Sequence, residues 1–284
     1  MRILLTGGTG QVGWELQRAL LPLGEIIAPP RDQLDLANPD TILHCLRSIR
    51  PDGVINCAAY TAVDLAETEA ELAYSINAVA PGILAEECLR LGAWLLHYST
   101  DYVFDGQSRV PYKPTDRTNP LGAYGKSKRA GEIAIEAVGG QYLILRTAWV
   151  YGLRGKNFLR TILRLARERP QLRIVKDQEG SPTWSRVIAE VTAHIVPRIR
   201  QQTGIFHLTC QGSTTWYDFA CAILRLDPNP SEQIVETVEA ITTAAYPTPA
   251  QRPAYSVLDC SSLEEQFQVH LPPWQTALAL AMAT

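Results

Sequence analysis

The sequence predicts an α/β protein whose core is a doubly wound parallel sheet. Two observations lead to this fold class: strand segments alternate with helical segments through the first half, and a glycine-rich turn joins the first strand to the first helix. Repeated strand–helix units of this length indicate parallel pairing. We therefore expect a Rossmann-type sheet, followed by a smaller C-terminal α/β substrate domain, with ligands bound beyond the carboxyl ends of the strands.

The first half divides into strand and helix segments of similar length. We expect strands at 1–6, 25–29, 53–59, 94–100 and 142–146, and helices at 14–21, 39–49, 69–91 and 124–138. The helix at 69–91 should be interrupted or bent near Pro81-Gly82, because proline cannot donate a backbone hydrogen bond. The strand ends then bring the segments 7–13, 58–61, 99–101 and 147–149 together along one rim of the sheet.

The second half predicts a smaller unit that builds the substrate side. Residues 1–152 should form the dinucleotide-binding domain, with 177–197 packing back on it, and residues 153–284 the substrate-binding domain. We expect a helix at 187–195, a strand at 206–209, a helix from Ser213 through Leu226, and a proline-rich loop at 246–253.

The segment Thr6-Gly7-Gly8-Thr9-Gly10-Gln11-Val12-Gly13 lies in the strand-to-helix turn that a dinucleotide fingerprint requires. Gly7 permits the tight turn, Gly10 lets backbone amides approach a pyrophosphate, and Gly13 allows the helix to pack closely on the strand. The helix N-terminus adds partial positive charge. We predict that the cofactor contacts here are Gly7, Gly10, Gln11, Val12 and Gly13.

A tyrosine and a lysine stand four residues apart in Tyr124-Gly125-Lys126-Ser127-Lys128. Residues at this spacing share one face of a helix, so the ammonium can stabilise a tyrosinate and lower the pKa of the phenol. Such a phenol can exchange a proton with a substrate oxygen. Together with a dinucleotide site that supplies hydride, the pair predicts a carbonyl reductase.

Composition excludes several other classes of protein. The chain has 284 residues, 46% of them hydrophobic and 19% charged, with a net charge of −3. That charge offers no attraction to nucleic acid or to a membrane surface, and no apolar run reaches the roughly 18 residues that span a bilayer. Because a strand begins directly after Met1, we expect no signal peptide and a cytoplasmic protein.

The six cysteines form no Cys-x-x-Cys pair and fall in apolar segments, which favours buried, reduced thiols. The five histidines form no cluster with the spacing of metal ligands. We therefore predict no catalytic metal.

Several longer runs resemble the extended short-chain dehydrogenase/reductases, and most closely the dTDP-4-dehydrorhamnose reductase family. The runs Ser99-Thr100-Asp101-Tyr102-Val103-Phe104 and Asp177-Gln178-Glu179-Gly180-Ser181-Pro182-Thr183 are the most specific of them. The first of these is part of a longer matching run, 97–104, and the others are 4–17, 58–64, 124–128, 146–151 and Arg252-Pro253, in the family's order along nearly the whole chain.

The resemblance implies that the C4 keto group of dTDP-4-dehydro-L-rhamnose is reduced to give dTDP-L-rhamnose with NAD(P)H. Tyr124 would protonate the C4 oxygen, Lys128 would lower the pKa of the phenol and hold the nicotinamide ribose, and Thr100 would stabilise the developing negative charge. From the residues alone, Thr100 is equally well a strand-end threonine that caps the next turn. Asn77 matches a family asparagine that supports the lysine through water, and a structural role for it is equally open.

The resemblance also implies cofactor and substrate contacts. Asp35 and Leu36 would lie against the adenine. The remaining cofactor contacts would be Ala58, Ala59, Tyr60, Tyr124 and Lys128. The substrate contacts would be Thr61, Val63, Thr100, Asp101, Tyr102, Tyr124 and Trp149. Arg160, Arg164 and Arg167 follow helical spacing, and we expect most of them on a solvated face, with one or two near the substrate diphosphate.

The residues at the end of the second strand predict which cofactor is preferred, because NAD-binding folds usually carry an acidic residue there. Here the chain reads Ala28-Pro29-Pro30-Arg31, and Arg31 can pair with a 2′-phosphate. Asp32, directly after it, weakens this argument. We therefore expect NADPH, with NADH possible.

Two related activities fit less well, and one non-enzymatic role stays open. Sugar-nucleotide 4,6-dehydratases follow the threonine with Asp-Glu, whereas Thr100 is followed by Asp101-Tyr102. An epimerase needs a further acid/base pair that no cysteine or histidine obviously supplies. The third alternative is a regulatory subunit, such as the methionine adenosyltransferase partner, which shares this fold and these motifs.

Some members of the family hold a magnesium ion between subunits through acidic residues. One such acid corresponds to Glu15, but the partner position is Arg186, whose guanidinium cannot bind a cation. We therefore expect a monomer or a metal-independent homodimer, with Glu190 as the one substitute ligand to consider.

Overall fold

The computed structural model describes residues 1–283 of the chain. Its strands are β1 (Arg2–Thr6), β2 (Glu25–Ile27), β3 (Gly53–Asn56), β4 (Trp94–Thr100), β5 (Tyr142–Thr147), β6 (Val150–Tyr151), β7 (Gln171–Val175), β8 (Glu179–Gly180), β9 (Thr183–Trp184), β10 (Gly204–His207), β11 (Thr214–Thr215) and β12 (Thr237–Ile241). Its α-helices are α1 (Gln11–Ala19), α2 (Pro39–Ile49), α3 (Ala70–Tyr74), α4 (Ala80–Leu91), α5 (Ala123–Val138), α6 (Phe158–Glu168), α7 (Ser185–Ile195), α8 (Trp216–Arg225), α9 (Ser261–Phe267) and α10 (Trp274–Met282).

A six-stranded sheet forms the centre of the fold, in the order β10-β5-β4-β3-β1-β2. Every neighbouring pair in it is parallel. The strand order reverses direction at β1, so helices cover both faces of the sheet, as a doubly wound fold requires. The predicted fold class is confirmed.

Alternate residues of the strands enter two separate hydrophobic clusters. Leu5, Ile55 and Leu96 face one cluster, which α1, α7 and α9 complete. Leu4 and Val54 face the other, to which α2, α4 and α5 contribute. Because α5 covers this second face, it carries its first turn to the carboxyl ends of the strands, where the rim segments meet.

The second half of the chain adds a third cluster from α6, α8 and α10, around Tyr151, Phe219 and Trp274. Short strand pairs β11–β8, β12–β7 and β6–β9 connect this cluster to the main sheet. Two elements of this half belong to the large sheet layer: α7 packs on α1, and β10 is the sheet's edge strand. Within residues 1–283, no helix is both long and apolar enough to cross a bilayer.

The helix predicted at 69–91 is interrupted, but upstream of the proline that suggested the interruption. A π-helical turn, Ser75–Val79, separates α3 from α4, and Pro81 lies in the first turn of α4. Because Pro81 has no backbone N–H, it cannot donate to the carbonyl group of Asn77 four residues earlier. The wider turn exposes this carbonyl to helix α5.

Candidate active site

The carboxyl ends of β1, β3, β4 and β5 surround a cavity of about 640 Å³. The cavity extends from the glycine-rich turn to the first turn of α5. Of the predicted cofactor and catalytic residues, it is lined by Gly7, Gly10, Gln11, Val12, Gly13, Arg31, Asp35, Leu36, Ala58, Ala59, Thr61, Tyr124 and Lys128. The structure thus brings most of the predicted site residues to one place.

The glycine-rich turn has the geometry that the fingerprint predicts. Gly7 adopts a φ of +68°, and a Cβ atom there would lie 2.8 Å from the backbone nitrogen of Ala58. Gly10 precedes α1 and has no side chain to cap it, so the first backbone N–H groups of the helix open toward the cavity. This turn can therefore receive an anionic pyrophosphate.

Helix α5 reaches the site because a glycine lets it approach the β4 end closely. A Cβ atom on Gly125 would lie only 2.2 Å from the carbonyl oxygen of Tyr102. This contact sets the rings of Tyr102 and Tyr124 edge to face, with centroids 5.5 Å apart. Tyr124 is thereby held between β4 and the cavity.

Tyr124 is partly buried, and the desolvation of its phenol raises the pKa to about 12. A hydrogen bond from Thr100 lowers the pKa, while the charge of Asp101 raises it further. The ammonium of Lys128 instead contacts His97 and the carbonyl oxygen of Tyr98. The direct effect of Lys128 on the phenol that the sequence predicts is thus absent from the contacts of residues 1–283, and the phenol stays protonated at neutral pH.

Thr100 combines the two roles that the sequence left open. Its hydroxyl oxygen accepts a hydrogen bond from the backbone nitrogen of Tyr102, at 3.2 Å, and so caps the turn after β4. The same hydroxyl group lies 3.0 Å from Oδ1 of Asp101 and within hydrogen-bonding reach of Tyr124. The cap therefore fixes a donor beside the phenol.

Asp101 carries a buried carboxyl group beside this pair. Burial raises its pKa to about 6, although hydrogen bonds from Ser256 and Thr100 act in the opposite direction. Its Oδ2 has no hydrogen-bond partner among residues 1–283. Ser99 and Thr147, which line the cavity, also have buried hydroxyl groups without a partner in this part of the chain. Unpaired buried polar atoms at one rim fit a polar ligand.

Lys128 is buried, and burial lowers its pKa to about 8, against the opposing charges of Glu132 and Cys57. Its Nζ lies 2.6 Å from the carbonyl oxygen of Tyr98 and 3.2 Å from Nε2 of His97. The ammonium form therefore predominates at neutral pH, with part of its hydrogen-bonding capacity directed into the protein.

The expected adenine end of the cavity is formed by the loop after β2. Arg31 and Asp35 form an ion pair of 3.5 Å, and the Arg31 side chain is 76% exposed. Asp35 Oδ1 also accepts a hydrogen bond from the backbone of Ala37, at 3.0 Å, which holds the loop in place. An exposed, loosely paired guanidinium at the cavity edge remains able to turn to a phosphate.

Asn77 holds the rim after β3, and its partners are the backbone of Tyr60 and the hydroxyl group of Ser127. Its amide accepts from Tyr60 N at 2.9 Å and donates to Tyr60 O at 3.0 Å. The phenol of Tyr60 in turn donates to Glu69 at 2.6 Å. Asn77 thus positions the predicted cofactor contact Tyr60 and ties it to α5.

Trp149, a predicted substrate contact, has an unusual backbone conformation. Its φ is +46°, a left-handed conformation that bulky residues rarely adopt. Its indole stacks on that of Trp216, with centroids 3.4 Å apart and an interplanar angle of 6°. One face of the Trp149 ring is therefore already covered by Trp216. Thr61 lines the main cavity. Val63 follows it two residues later in the chain, and Asp101 and Tyr102 lie in the turn directly after β4.

The basic residues of α6 are engaged on the protein surface. Arg164 pairs with Glu168, and Arg167 pairs with both Asp227 and Glu232. These ion pairs agree with the solvated face expected for most of them. Arg186 forms a 2.9 Å ion pair with Glu190 one turn along α7.

Three further residues of the site were not among the predicted site residues, although His97 belongs to the matching run 97–104. Trp216 covers Trp149, Lys156 lines the cavity opposite the glycine-rich turn, and His97 contacts Lys128. His97 had one detectable signal, because a polar residue in an apolar strand near the predicted rim is unusual. Trp216 and Lys156 depend on long-range folding, which short sequence patterns do not encode.

Comparison with known proteins agrees with this geometry. The model of the RmlD substrate binding domain matches residues 1–284. The dTDP-4-dehydrorhamnose reductase of Burkholderia thailandensis is 47% identical over 292 residues, covering 99% of this chain and 98% of the relative.

Two solved structures have the same fold over the full length. A dTDP-4-dehydrorhamnose reductase from Clostridium acetobutylicum superposes with a TM-score of 0.93 at 39% identity, covering 100% of this chain and 99% of the other. The Bacillus anthracis reductase, solved in complex with NADP, has a TM-score of 0.93 at 34% identity, covering 99% and 98%. The resemblance inferred from the motifs is confirmed: this chain belongs to the dTDP-4-dehydrorhamnose reductase family.

Proposed function

We propose that this chain is an NADPH-dependent oxidoreductase that reduces the C4 keto group of dTDP-4-dehydro-L-rhamnose to give dTDP-L-rhamnose. The observation that carries the proposal is one cavity lined by both a pyrophosphate-ready glycine turn and the pair Tyr124 and Lys128. A reductase needs a hydride donor and a proton donor on the same carbonyl group. Family membership and the NADP complex of the Bacillus anthracis relative support the same activity and cofactor.

The glycine-rich turn fits a dinucleotide on the evidence of its own geometry. A Cβ on Gly7 would collide with the chain at Ala58, and the N-terminus of α1 opens to the cavity. Reduced nicotinamide, when bound, supplies the hydride. We assign the 2′-phosphate end to Arg31, the adenine to Asp35 and Leu36, and the intervening rim to Ala58, Ala59 and Tyr60.

Tyr124 is assigned as the proton donor. With a pKa near 12, the phenol is fully protonated at neutral pH and can give its proton to the C4 oxygen as negative charge develops there. Thr100 is held in place by its cap to Tyr102, and we assign its single O–H, which here donates to Asp101 Oδ1, to the same oxygen when substrate is bound. We assign Lys128 to the nicotinamide ribose, through the ammonium hydrogen that is not directed at Tyr98 or His97.

The sugar and its diphosphate are assigned to the substrate side of the rim. We assign the sugar to Thr61, which lines the cavity, and to Val63, Asp101, Tyr102 and Trp149. The buried, unpaired Oδ2 of Asp101 is suited to accept a hydrogen bond from a sugar hydroxyl. We assign residues 1–152 with 177–197 to cofactor binding and 153–284 to the substrate side. The free thiols of all six cysteines in the described chain agree with a reducing compartment, and we propose cytoplasmic localisation.

The experiment is turnover of dTDP-4-dehydro-L-rhamnose, followed by the loss of NADPH absorbance. Tyr124→Phe should lower kcat/KM by about 10²- to 10⁴-fold while NADPH binding stays close to that of the unchanged protein. Tyr151→Phe is the matched control, because its buried hydroxyl has no partner among residues 1–283. Wild-type-like turnover by the Tyr124→Phe variant would exclude Tyr124 as the proton donor. If the unchanged chain binds NADPH but turns over no substrate, the result would favour a regulatory subunit.

A further inference from the structure

Three buried polar side chains form one row across the sheet, next to the site. Thr6, Asn56 and His97 are register partners on β1, β3 and β4, and each is at most 2% exposed. Thr6 Oγ1 lies 2.6 Å from Oδ1 of Asn56, and the amide nitrogen of Asn56 lies 3.0 Å from Nδ1 of His97. The row is therefore continuous from the end of β1 to β4.

The row ends on Lys128. Nε2 of His97 lies 3.2 Å from Nζ of Lys128, and the carbonyl oxygen of Tyr98 lies 2.6 Å from the same nitrogen. An ammonium group has three N–H donors. Two of them are thus directed into the protein, which leaves one for the cavity that Lys128 lines.

We propose that His97 is a positioning residue for Lys128. The neutral imidazole of His97 accepts one hydrogen of the Lys128 ammonium group through Nε2, and the one ammonium hydrogen left free is thereby directed at the cofactor. This inference rests on the role of Lys128 in the proposed function. The lysine otherwise has a flexible four-carbon stem, and its ammonium would be free to rotate. Asn56 and Thr6 hold the imidazole through its other nitrogen.

The inference requires one tautomer of His97. If the amide oxygen of Asn56 faces Nδ1, then Nδ1 carries the hydrogen and Nε2 presents a lone pair to the ammonium. If the amide nitrogen faces Nδ1, the hydrogen lies on Nε2 and points at Lys128, which suits only a neutral amine. The two amide orientations occupy the same space. The first is the reverse of the amide orientation described above: it places the amide nitrogen of Asn56 beside Thr6 Oγ1, which then accepts from it, and the amide oxygen beside Nδ1. We favour it, because a bond to a charged donor is about twice as strong as a neutral one.

The charged and titratable groups around the ammonium support this arrangement. Those that act on it are Cys57 after β3, His97 on β4 and Glu132 on α5. Glu132 is already paired with Arg146. Burial and the nearby ammonium hold the pKa of His97 well below its usual range, so the imidazole stays neutral at the pH at which the enzyme works.

A pair of substitutions separates positioning from simple packing. His97→Leu removes the acceptor, so the ammonium loses a hydrogen bond and Lys128 gives up its proton at lower pH. The alkaline limb of the kcat/KM profile should move down by about one pH unit, with kcat about tenfold lower. His97→Gln can present its amide oxygen near the position of Nε2. This variant should therefore have the alkaline limb of the kcat/KM profile at the wild-type pH and most of the wild-type kcat.

His207→Leu is the matched control. It removes an equally buried imidazole from β10, outside the row, and should lower Tm without moving the pH profile. A His97→Leu variant that loses only Tm, with the wild-type profile, would overturn the proposal. Failure of Gln to restore the profile would overturn it as well.

The tautomer gives a readout that is independent of turnover. Long-range ¹H–¹⁵N spectra of the unchanged protein should show hydrogen on Nδ1 of His97 and none on Nε2 at neutral pH. Hydrogen on Nε2 would overturn the inference. This measurement also stands if His97→Leu does not fold or if the chain proves inactive on the proposed substrate, so the two failures are distinguishable.

Discussion

Both carboxylate oxygens of Glu132 are bound by the guanidinium of Arg146, with Nε 2.9 Å from Oε1 and Nη2 2.8 Å from Oε2. The two side chains are 0% and 1% exposed. Arg129 adds a 3.0 Å contact to Oε2 from the protein surface. The pair joins α5 to β5, one helical turn beyond Lys128, and so helps to hold the helix that carries the candidate catalytic residues.

Removal of one partner from this pair should be costly, because it leaves a buried charge without compensation. We expect Glu132→Ala to lower the free energy of unfolding by about 3–5 kcal/mol. Urea unfolding followed by circular dichroism measures it. Glu136→Ala is the control: Glu136 pairs with Arg129 at the surface and should cost about 0–1 kcal/mol. Equal losses in the two variants would contradict the role of burial.

The raised pKa of Asp101 makes folding stability depend on pH. The folded protein keeps a proton on this carboxyl up to about pH 6, whereas the unfolded chain loses it near pH 3.8. The stability that it contributes is thus full below the lower value and is lost as the pH rises through the upper one. Asp101→Asn should therefore gain Tm relative to the unchanged protein between about pH 4 and pH 7.

Asp105 provides a control of opposite sign for that measurement. Burial acts to raise its pKa, but hydrogen bonds from Gln107, Asn119 and Tyr112 outweigh it and leave the pKa below its usual value. Its contribution to stability is present above the pKa of the unfolded chain and is lost as the pH falls. Asp105→Asn should therefore have a lower Tm than the unchanged protein by a constant amount throughout that interval, and the difference should shrink only as the pH falls below about 3.8. A shift of both variants in one direction would refute the argument.

Arg31 should set the preference for NADPH. Its exposed guanidinium has only the 3.5 Å contact with Asp35 to break before it meets a 2′-phosphate. We expect Arg31→Ala to lower kcat/KM for NADPH by about tenfold, the loss of one exposed charge-assisted contact, with little effect for NADH. An unchanged NADPH/NADH ratio would exclude Arg31 as the determinant.

Arg186 leads us to expect that activity and assembly do not depend on magnesium. By the resemblance described above, Arg186 stands where a second acid would be needed, and its guanidinium is ion-paired with Glu190, the substitute ligand considered there. Turnover and sedimentation should both be unchanged after exhaustive dialysis against EDTA. A dimer that dissociates on chelation, and re-forms with Mg²⁺, would show the prediction to be wrong.

The elements that local signals define could be predicted from sequence to the residue. Helix α2 was expected at 39–49 and is found at Pro39–Ile49, because Asn38 caps its N-terminus and Arg50 ends it in the left-handed conformation. Strand β4 likewise matches the predicted 94–100. For α2 the determining contacts lie within a few residues of the helix, and for β4 the run of apolar residues marks the strand although its partners are the distant β3 and β5.

The features that escaped prediction depend on contacts between distant segments. The stack of Trp149 on Trp216 joins residues 67 positions apart along the numbering, and the row Thr6–Asn56–His97 exists only once three strands are in register. The motifs identified Tyr124 and Lys128, but the hydrogen-bond partners of Lys128 follow from the register of β4 against β3. Short patterns therefore revealed the reacting groups and not what orients them.

The position of β10 has a consequence for the order in which the sheet is completed during synthesis. Strands β1 to β5 leave the ribosome first and can pair among themselves, but the outer edge of β5 pairs only with β10, whose residues Gly204–His207 are made much later. Until then, β5 presents unpaired backbone groups that could pair with another nascent chain. Translation of the segment between β5 and β10 is therefore the interval in which the protein most needs protection by a chaperone.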